Sequence, residues 1–179
     1  MTDAPDLQPS HKPILKLPAT LPNRQTRLLL ICHAESLQRR YGNLTLTDTG
    51  LTALGWEQSN ALAEWLRTRE QIDHLVCSPQ LRCRLTAQRI SQALGLPVVL
   101  ESLFPMTARR DWLVQPPLRH DPPEDNTDAV EYDGYLQRVM EAFAHTLSNR
   151  WGSTTAIVAN PNAIVALLRS STVTNLRSR

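Results

Sequence analysis

Four short apolar runs constrain this chain most: Arg27–Cys32, Asp73–Cys77, Pro97–Leu100 and Thr155–Ala159. The first is continuous rather than alternating, as expected of a strand covered on both faces inside a parallel sheet. The segments between the runs carry helical spacing. Leu54, Gln58, Leu62, Trp65 and Leu66 follow Thr52, which is placed to cap their helix. Leu81, Leu85, Ile90 and Leu94 follow Ser78 and Pro79, read as N-cap and first helical residue, and Gly95 ends that helix. Leu136, Val139, Met140, Phe143 and Leu147 form one buried stripe on a long helix, and Ile164 to Leu168 belong to a last one. A polar loop follows the first strand. This alternation predicts an α/β fold, a three-layer α/β/α sandwich around a mostly parallel sheet with right-handed crossovers. Ligands of such folds sit beyond the carboxyl ends of the strands.

With 179 residues, 41% of them hydrophobic, the chain suits one domain with a proper core. Residues 1–26 carry Pro5, Pro9, Pro13, Pro18 and Pro22 with little apolar periodicity and read as an extended or disordered tail. Residues 27–179 then make the domain. The segment from Phe104 to Thr127 is a long, polar, proline-rich loop, a kind that is usually functional or mobile.

The longest apolar stretch, Leu28 to Cys32, is far below the roughly 20 residues of a membrane span, and no basic-then-apolar leader opens the sequence. Cys32, Cys77 and Cys83 match no zinc spacing and are expected as reduced thiols, so the expected location is cytoplasmic. No metal or cofactor is expected. A net charge of +2 is too small to drive binding to nucleic acid or an anionic bilayer. Lys12 and Lys16 are the only lysines, which leaves arginine as the fixed cation of the whole body. Arginine suits planar recognition of phosphate or carboxylate, although compositional bias explains the pattern equally well.

Cys32-His33, Ser78 with Arg82, Glu101 and Asn160 all fall at or just after a strand's carboxyl end. Here a resemblance becomes specific. Leu29-Leu-Ile-Cys-His-Ala-Glu-Ser36 resembles the opening motif of the histidine phosphatase superfamily, a strand followed by Arg-His-Gly or Arg-His-Ala. Asp48-Thr-Gly-Leu-Thr-Ala-Leu-Gly-Trp-Glu-Gln58 is similar to that family's Asp-x-Pro-Leu-Thr-x-x-Gly-x-x-Gln. Ser78-Pro-Gln-Leu-Arg-Cys-Arg-Leu-Thr-Ala87 is similar to its Ser-x-Leu-x-Arg-Ala-x-x-Thr-Ala. Ala156-Ile-Val-Ala-Asn-Pro-Asn-Ala-Ile164 stands where the family has a strand, His-Gly and a helix. The likeness runs in order from about Arg27 to Leu168 and implies a phosphoglycerate mutase-like fold. It also implies roles. His33 matches the nucleophile that becomes a phosphohistidine, Arg82 the phosphate-clamping arginine, and Glu101 the general acid that protonates the departing oxygen.

Two positions depart from the pattern. Cys32 stands where the family has its first arginine, and Asn160 where it has a second histidine. Asn160 can offer one amide hydrogen bond to a phosphate, and Pro161 removes a backbone N–H from the helix start where an anion would sit. As an alternative, Asn160 as N-cap with Pro161 as first helical residue makes a sound strand-to-helix turn. Replacement charge could come from Arg39 or Arg40, or from Arg109, Arg110 and His120 in the long loop, although Asp121, Glu124, Asp125 and Asp128 could neutralise such cations.

The expected function is that of a degenerate, catalytically impaired family member that binds a phosphorylated ligand or serves as a scaffold. The alternative is an active phosphomonoesterase or mutase working through His33. A cysteine-dependent phosphatase is rejected by spacing, because Cys32 finds Gln38, and Cys77 finds Cys83, where Cys-x5-Arg would need arginine. Cys32 is read as a buried, inert thiol. Family members usually continue into another strand, so the last sheet edge is expected to be open to a protein partner, a second copy or the tail.

Overall fold

The computed structural model describes residues 25–41, 48–105 and 127–176. The proline-rich segment up to residue 24 lies outside the described residues. So does most of the long loop, with Arg109, Arg110, His120, Asp121, Glu124 and Asp125. The elements run β1 (Arg27–Cys32), α1 (Leu37–Tyr41), α2 (Ala53–Arg69), β2 (His74–Cys77), α3 (Leu81–Leu94), β3 (Val98–Leu100), α4 (Thr127–Leu147), β4 (Thr154–Ala159) and α5 (Pro161–Leu176).

All strand pairings are parallel, in the order β1-β4-β2-β3. The alternation of side chains along each strand then sorts the core into two layers. Leu29 and Ile31 of β1, Leu75 and Cys77 of β2, and Ala156 and Val158 of β4 pack against α2 and α3 through Ala63, Leu66, Cys83, Ala87 and Ile90. The intervening residues Leu28, Leu30, Val76, Ile157 and Ala159 pack on the other face against α4 and α5 through Tyr135, Val139, Phe143, Ala163 and Ala166. The three-layer α/β/α sandwich follows.

β4, the last strand in sequence among the described residues, lies inside the sheet between β1 and β2 and is buried at every residue. The first strand has apolar residues packed on both of its faces, as its sequence implied, but it does not lie inside the described sheet. Among the described residues β1 has a neighbour on one side only and is half-buried from Leu28 to Ile31. A leucine run signals apolar surroundings but cannot tell the centre of a sheet from its edge. The loop after β1 also contains a short helix, α1, which the polar sequence did not announce.

Helix ends follow local chemistry in two cases and tertiary chemistry in a third. The Thr52 side chain accepts from the Gly55 N–H and starts α2. Gly95 ends α3 in the left-handed conformation, φ 68°, which costs glycine little. The start of α3 differs from expectation. Ser78 and Pro79 precede the helix, its N-cap Gln80 makes no side-chain cap, and the Leu81 N–H donates instead to Oδ1 of Asp48 at 2.6 Å. That cap comes from far along the sequence.

On α4 the fully buried face is Tyr135, Val139, Ala142, Phe143 and Thr146, with Leu136, Met140 and Leu147 half-buried beside it. Phe104, just after β3, meets Phe143 edge-on at 5.0 Å between ring centres and fastens that segment to α4.

Candidate functional site

The strand order decides which strand-end residues meet. β1, β4 and β2 are contiguous, so His33, Asn160 and the Ser78–Arg82 segment share one crevice. Glu101 follows β3, with two strands between it and β1.

His33 leaves β1 with its N–H donating to the Ala159 carbonyl at 3.3 Å. Its Nδ1 lies 2.8 Å from the Ala34 carbonyl oxygen, and its Nε2 lies 3.1 Å from Nε of Arg82. A carbonyl only accepts and a guanidinium only donates, so these partners assign the proton to Nδ1 and the lone pair to Nε2. Burial is the main force that lowers the His33 pKa to about 4. The Ala34 bond opposes the shift, while Arg82 and Arg39 add to it. The imidazole is therefore neutral at pH 7, with a nucleophilic nitrogen facing Arg82.

Arg82 uses Nε on His33, and its Nη1 is buried without a partner. A buried donor left unpaired costs free energy, so this group is poised for an acceptor. The arginine is held in place from its own helix. Thr86, one turn on, donates its hydroxyl to the Arg82 carbonyl at 2.9 Å and accepts the Ala34 N–H at 3.1 Å. Thr86 thus ties the backbone next to His33 to that of Arg82. Its place in the third motif was visible in the sequence, but not this role.

The second motif works in the same way on the next residues. The Glu35 N–H donates to Gln58 at 2.9 Å, the Thr52 hydroxyl donates to the Glu35 carboxylate at 2.8 Å, and the Thr52 N–H donates to the Glu35 carbonyl at 3.1 Å. Gly55 allows that approach, since a Cβ there would stand 2.1 Å from the Glu35 carbonyl oxygen. Thr52, Gly55 and Gln58 fix the loop that carries His33.

The remaining strand-end residues face elsewhere or are altered. Asn160 is buried, and its Oδ1 accepts the Ala163 N–H at 2.9 Å and the Tyr135 hydroxyl at 3.5 Å. It caps α5, with Pro161 as the first helical residue, so only its amide nitrogen can turn to a ligand. Glu101 is also buried. Its Oε2 lies 2.6 Å from Nδ1 of His145 and 3.4 Å from the Thr146 hydroxyl, and its Oε1 accepts the Leu103 N–H at 3.1 Å. Its carboxylate is engaged by α4 and its own turn, and no described hydrogen bond joins it to His33.

Cys32 is exposed at the end of β1, contrary to its reading as a buried thiol. Cys77 and Cys83 are the buried ones. The protein around Cys32 still disfavours its thiolate, and that effect outweighs the attraction of Arg39 and Arg82, leaving its pKa raised. Among the described residues no group of three or more His, Cys, Asp or Glu side chains is placed to hold a metal, and no helix is long and apolar enough to cross a membrane.

Fold and site together define a parallel three-layer α/β domain with a neutral histidine beside an arginine at the carboxyl ends of β1 and β2. The comparisons name that class. Residues 28–105 match the histidine phosphatase superfamily (branch 1). Bacillus stearothermophilus YhfR has a similar structure, with a TM-score of 0.61 and 18% identity over 81% of this chain and 79% of that one. The mycobacterial glucosyl-3-phosphoglycerate phosphatase Rv2419c in complex with VO3 is also similar, with a TM-score of 0.56 and 24% identity over 80% of this chain and 79% of that one. In sequence, the chain is 30% identical over 160 residues to the bifunctional protein Rv2228c of Mycobacterium tuberculosis, covering 80% of this chain and 43% of that protein. The chain spans less than half the length of the curated relatives it matches.

Proposed function

We propose that this domain binds phosphate monoesters in the crevice around His33 and turns them over poorly or not at all. The observation that carries this reading is the Arg82–His33 pair. A neutral Nε2 and a guanidinium with a buried, unpartnered Nη1 stand together, as a phosphate pocket requires. An entering phosphate would accept from Arg82 in exchange for the imidazole and leave Nε2 facing phosphorus.

Three features argue for impaired turnover. Cys32 supplies no charge-assisted donor, Asn160 spends its oxygen on capping α5, and Glu101 is engaged by His145 and Thr146 rather than by a leaving group. Loss of one preorganised donor typically costs about 10²–10³ in rate, and such losses do not simply multiply.

The second reading, an active phosphomonoesterase passing through a phosphohistidine, is favoured by the proton on Nδ1 and the free pair on Nε2. It requires Glu101 to leave His145. The relatives named as phosphatases support a phosphorylated small molecule as the ligand class. The three free cysteines fit a reducing, cytoplasmic setting.

Turnover of p-nitrophenyl phosphate by the wild type, His33→Ala and the double variant Cys32→Arg/Asn160→His decides between the readings. Impairment predicts wild-type turnover no greater than that of His33→Ala and a gain in the double variant. Substantial wild-type turnover that vanishes in His33→Ala would establish the active enzyme instead.

A further inference from the structure

Arg82 sits between two points at which α3 is fastened to the chain around His33. On its C-terminal side, Thr86 accepts the Ala34 N–H at 3.1 Å. On its N-terminal side, the Leu81 N–H donates to Oδ1 of Asp48 at 2.6 Å, and Gln80 offers no side-chain cap of its own. The first amide of α3 thus takes its acceptor from a distant segment, and Arg82 is the next residue.

That segment is itself zipped onto the residues after His33. The Thr49 hydroxyl accepts the Gln38 N–H at 3.0 Å, and the Gly50 carbonyl accepts the Leu37 N–H at 3.0 Å. Leu51 forms an antiparallel bridge with Ser36, and the Thr52 N–H donates to the Glu35 carbonyl at 3.1 Å. Thr49 and Leu51 are buried, and Gly50 lies beside α3, where an added Cβ would stand 3.7 Å from Cδ1 of Leu85. Asp48 is the end of this strap.

Its carboxylate is therefore carried by a segment whose register with the His33 loop is fixed, and it passes that register to α3. A carboxylate accepting from a backbone N–H makes a strong, charge-assisted bond. The contact that depends on it is Nε of Arg82 to Nε2 of His33 at 3.1 Å. Such a bond weakens steeply with misalignment, so a small shift of the first turn of α3 is enough to lose it.

We propose that Asp48 is a positioning residue of this crevice, whose hold on the first amide of α3 keeps Arg82 in register with His33 and with a phosphate bound beside them. Its bearing on phosphate rests on the pocket reading above, whereas the registration of Arg82 stands on the hydrogen bonds alone. The sign of its effect separates this role from simple electrostatics. By charge alone, removing a carboxylate from the neighbourhood of an anion site tightens anion binding. Loss of registration weakens it.

The test compares the full-length wild type with Asp48→Ala, Asp48→Asn, Arg82→Ala and Ser91→Ala. The readouts are the 15N NMR signal of His33 Nε2, titration with inorganic phosphate at pH 7 and thermal unfolding. Ser91 fastens the opposite end of α3, its hydroxyl donating to the Leu96 carbonyl at 2.6 Å, and serves as the control for lost helix stability. Before any phosphate is added, Asp48→Ala should move the Nε2 signal toward its position in Arg82→Ala. Phosphate binding should then weaken about threefold to tenfold, the counterpart of one lost helix cap. Asp48→Asn keeps an oxygen for the Leu81 N–H, so its Nε2 signal should stay in place and its phosphate binding should be no weaker than wild type. Ser91→Ala should lower Tm and leave both other readouts unchanged. An Asp48→Ala protein with a wild-type Nε2 signal would overturn the role, as would Asp48→Asn or Ser91→Ala displaced as far as Asp48→Ala. A wild type whose His33 signals ignore phosphate would overturn the pocket reading instead, and the Nε2 comparison would still judge Asp48.

Discussion

Nδ1 of His145, in the last turn of α4, lies 2.6 Å from Oε2 of Glu101 just after β3. The Glu101 side chain is 7% exposed and that of His145 66%, so the bond joins a buried acceptor to a solvated donor. Exposure of the imidazole discounts the electrostatic part of the interaction. His145→Ala should therefore destabilise the fold by about 1–2 kcal/mol, chiefly by leaving a buried carboxylate under-satisfied. Urea unfolding checks this value. If Glu101 is the silenced acid of the site, the same variant should raise the turnover of Cys32→Arg/Asn160→His, read as kcat against an unchanged KM.

His33 predicts a pH dependence with a definite sign. Its folded pKa is lowered to about 4 from an ordinary value of 6.5, so the unfolded chain binds the proton more readily. Stability from the neutral imidazole is present above pH 6.5 and is lost as pH falls toward 4. Relative to His33→Gln, which cannot titrate, the wild type should lose about 3 kcal/mol across that window, the difference being read from denaturant midpoints at each pH. Equal pH profiles for the two proteins would contradict the burial of a neutral His33.

Gly55 is the tightest steric point near the site. A methyl group there would meet the Glu35 carbonyl, which is backbone and cannot swing aside. Gly55→Ala should cost about 1–3 kcal/mol by overpacking. It should also displace the loop bearing His33, so phosphate affinity is expected to fall with stability. Thermal unfolding and the phosphate titration measure the two effects separately.

The three thiols should react in order of exposure. Cys32 is exposed, whereas Cys77 and Cys83 are buried, and burial pushes their pKa values up to about 11 and about 12. In the native protein an alkylating reagent should label Cys32 alone, and slowly, because its own pKa is raised. Peptide mapping should find Cys77 and Cys83 modified only after unfolding.

The sequence by itself determined the strand–helix alternation, because apolar runs and helical spacing report local burial and need no knowledge of neighbours. Thr52 as a cap and Gly95 as a stop were legible for the same reason, since each acts on its own helix end. His33 and Arg82 were legible through the order of their motifs, and the parallel sheet brings them to 3.1 Å.

What the sequence could not carry is pairing between distant segments. The position of β4 between β1 and β2, with the first strand at the sheet's edge among the described residues, depends on sheet order and not on any local pattern. Asp48 caps α3 across an intervening helix and strand, so Ser78 and Pro79 looked like the helix start while the cap lay elsewhere. The direction of Glu101 was likewise decided by α4, whose His145 and Thr146 follow it by more than 40 residues. The sequence placed a carboxylate at a strand's end. Only the packing of α4 against the segment after β3, where Phe104 meets Phe143, chose the partners to which it is bound, because a buried carboxylate settles where donors already stand.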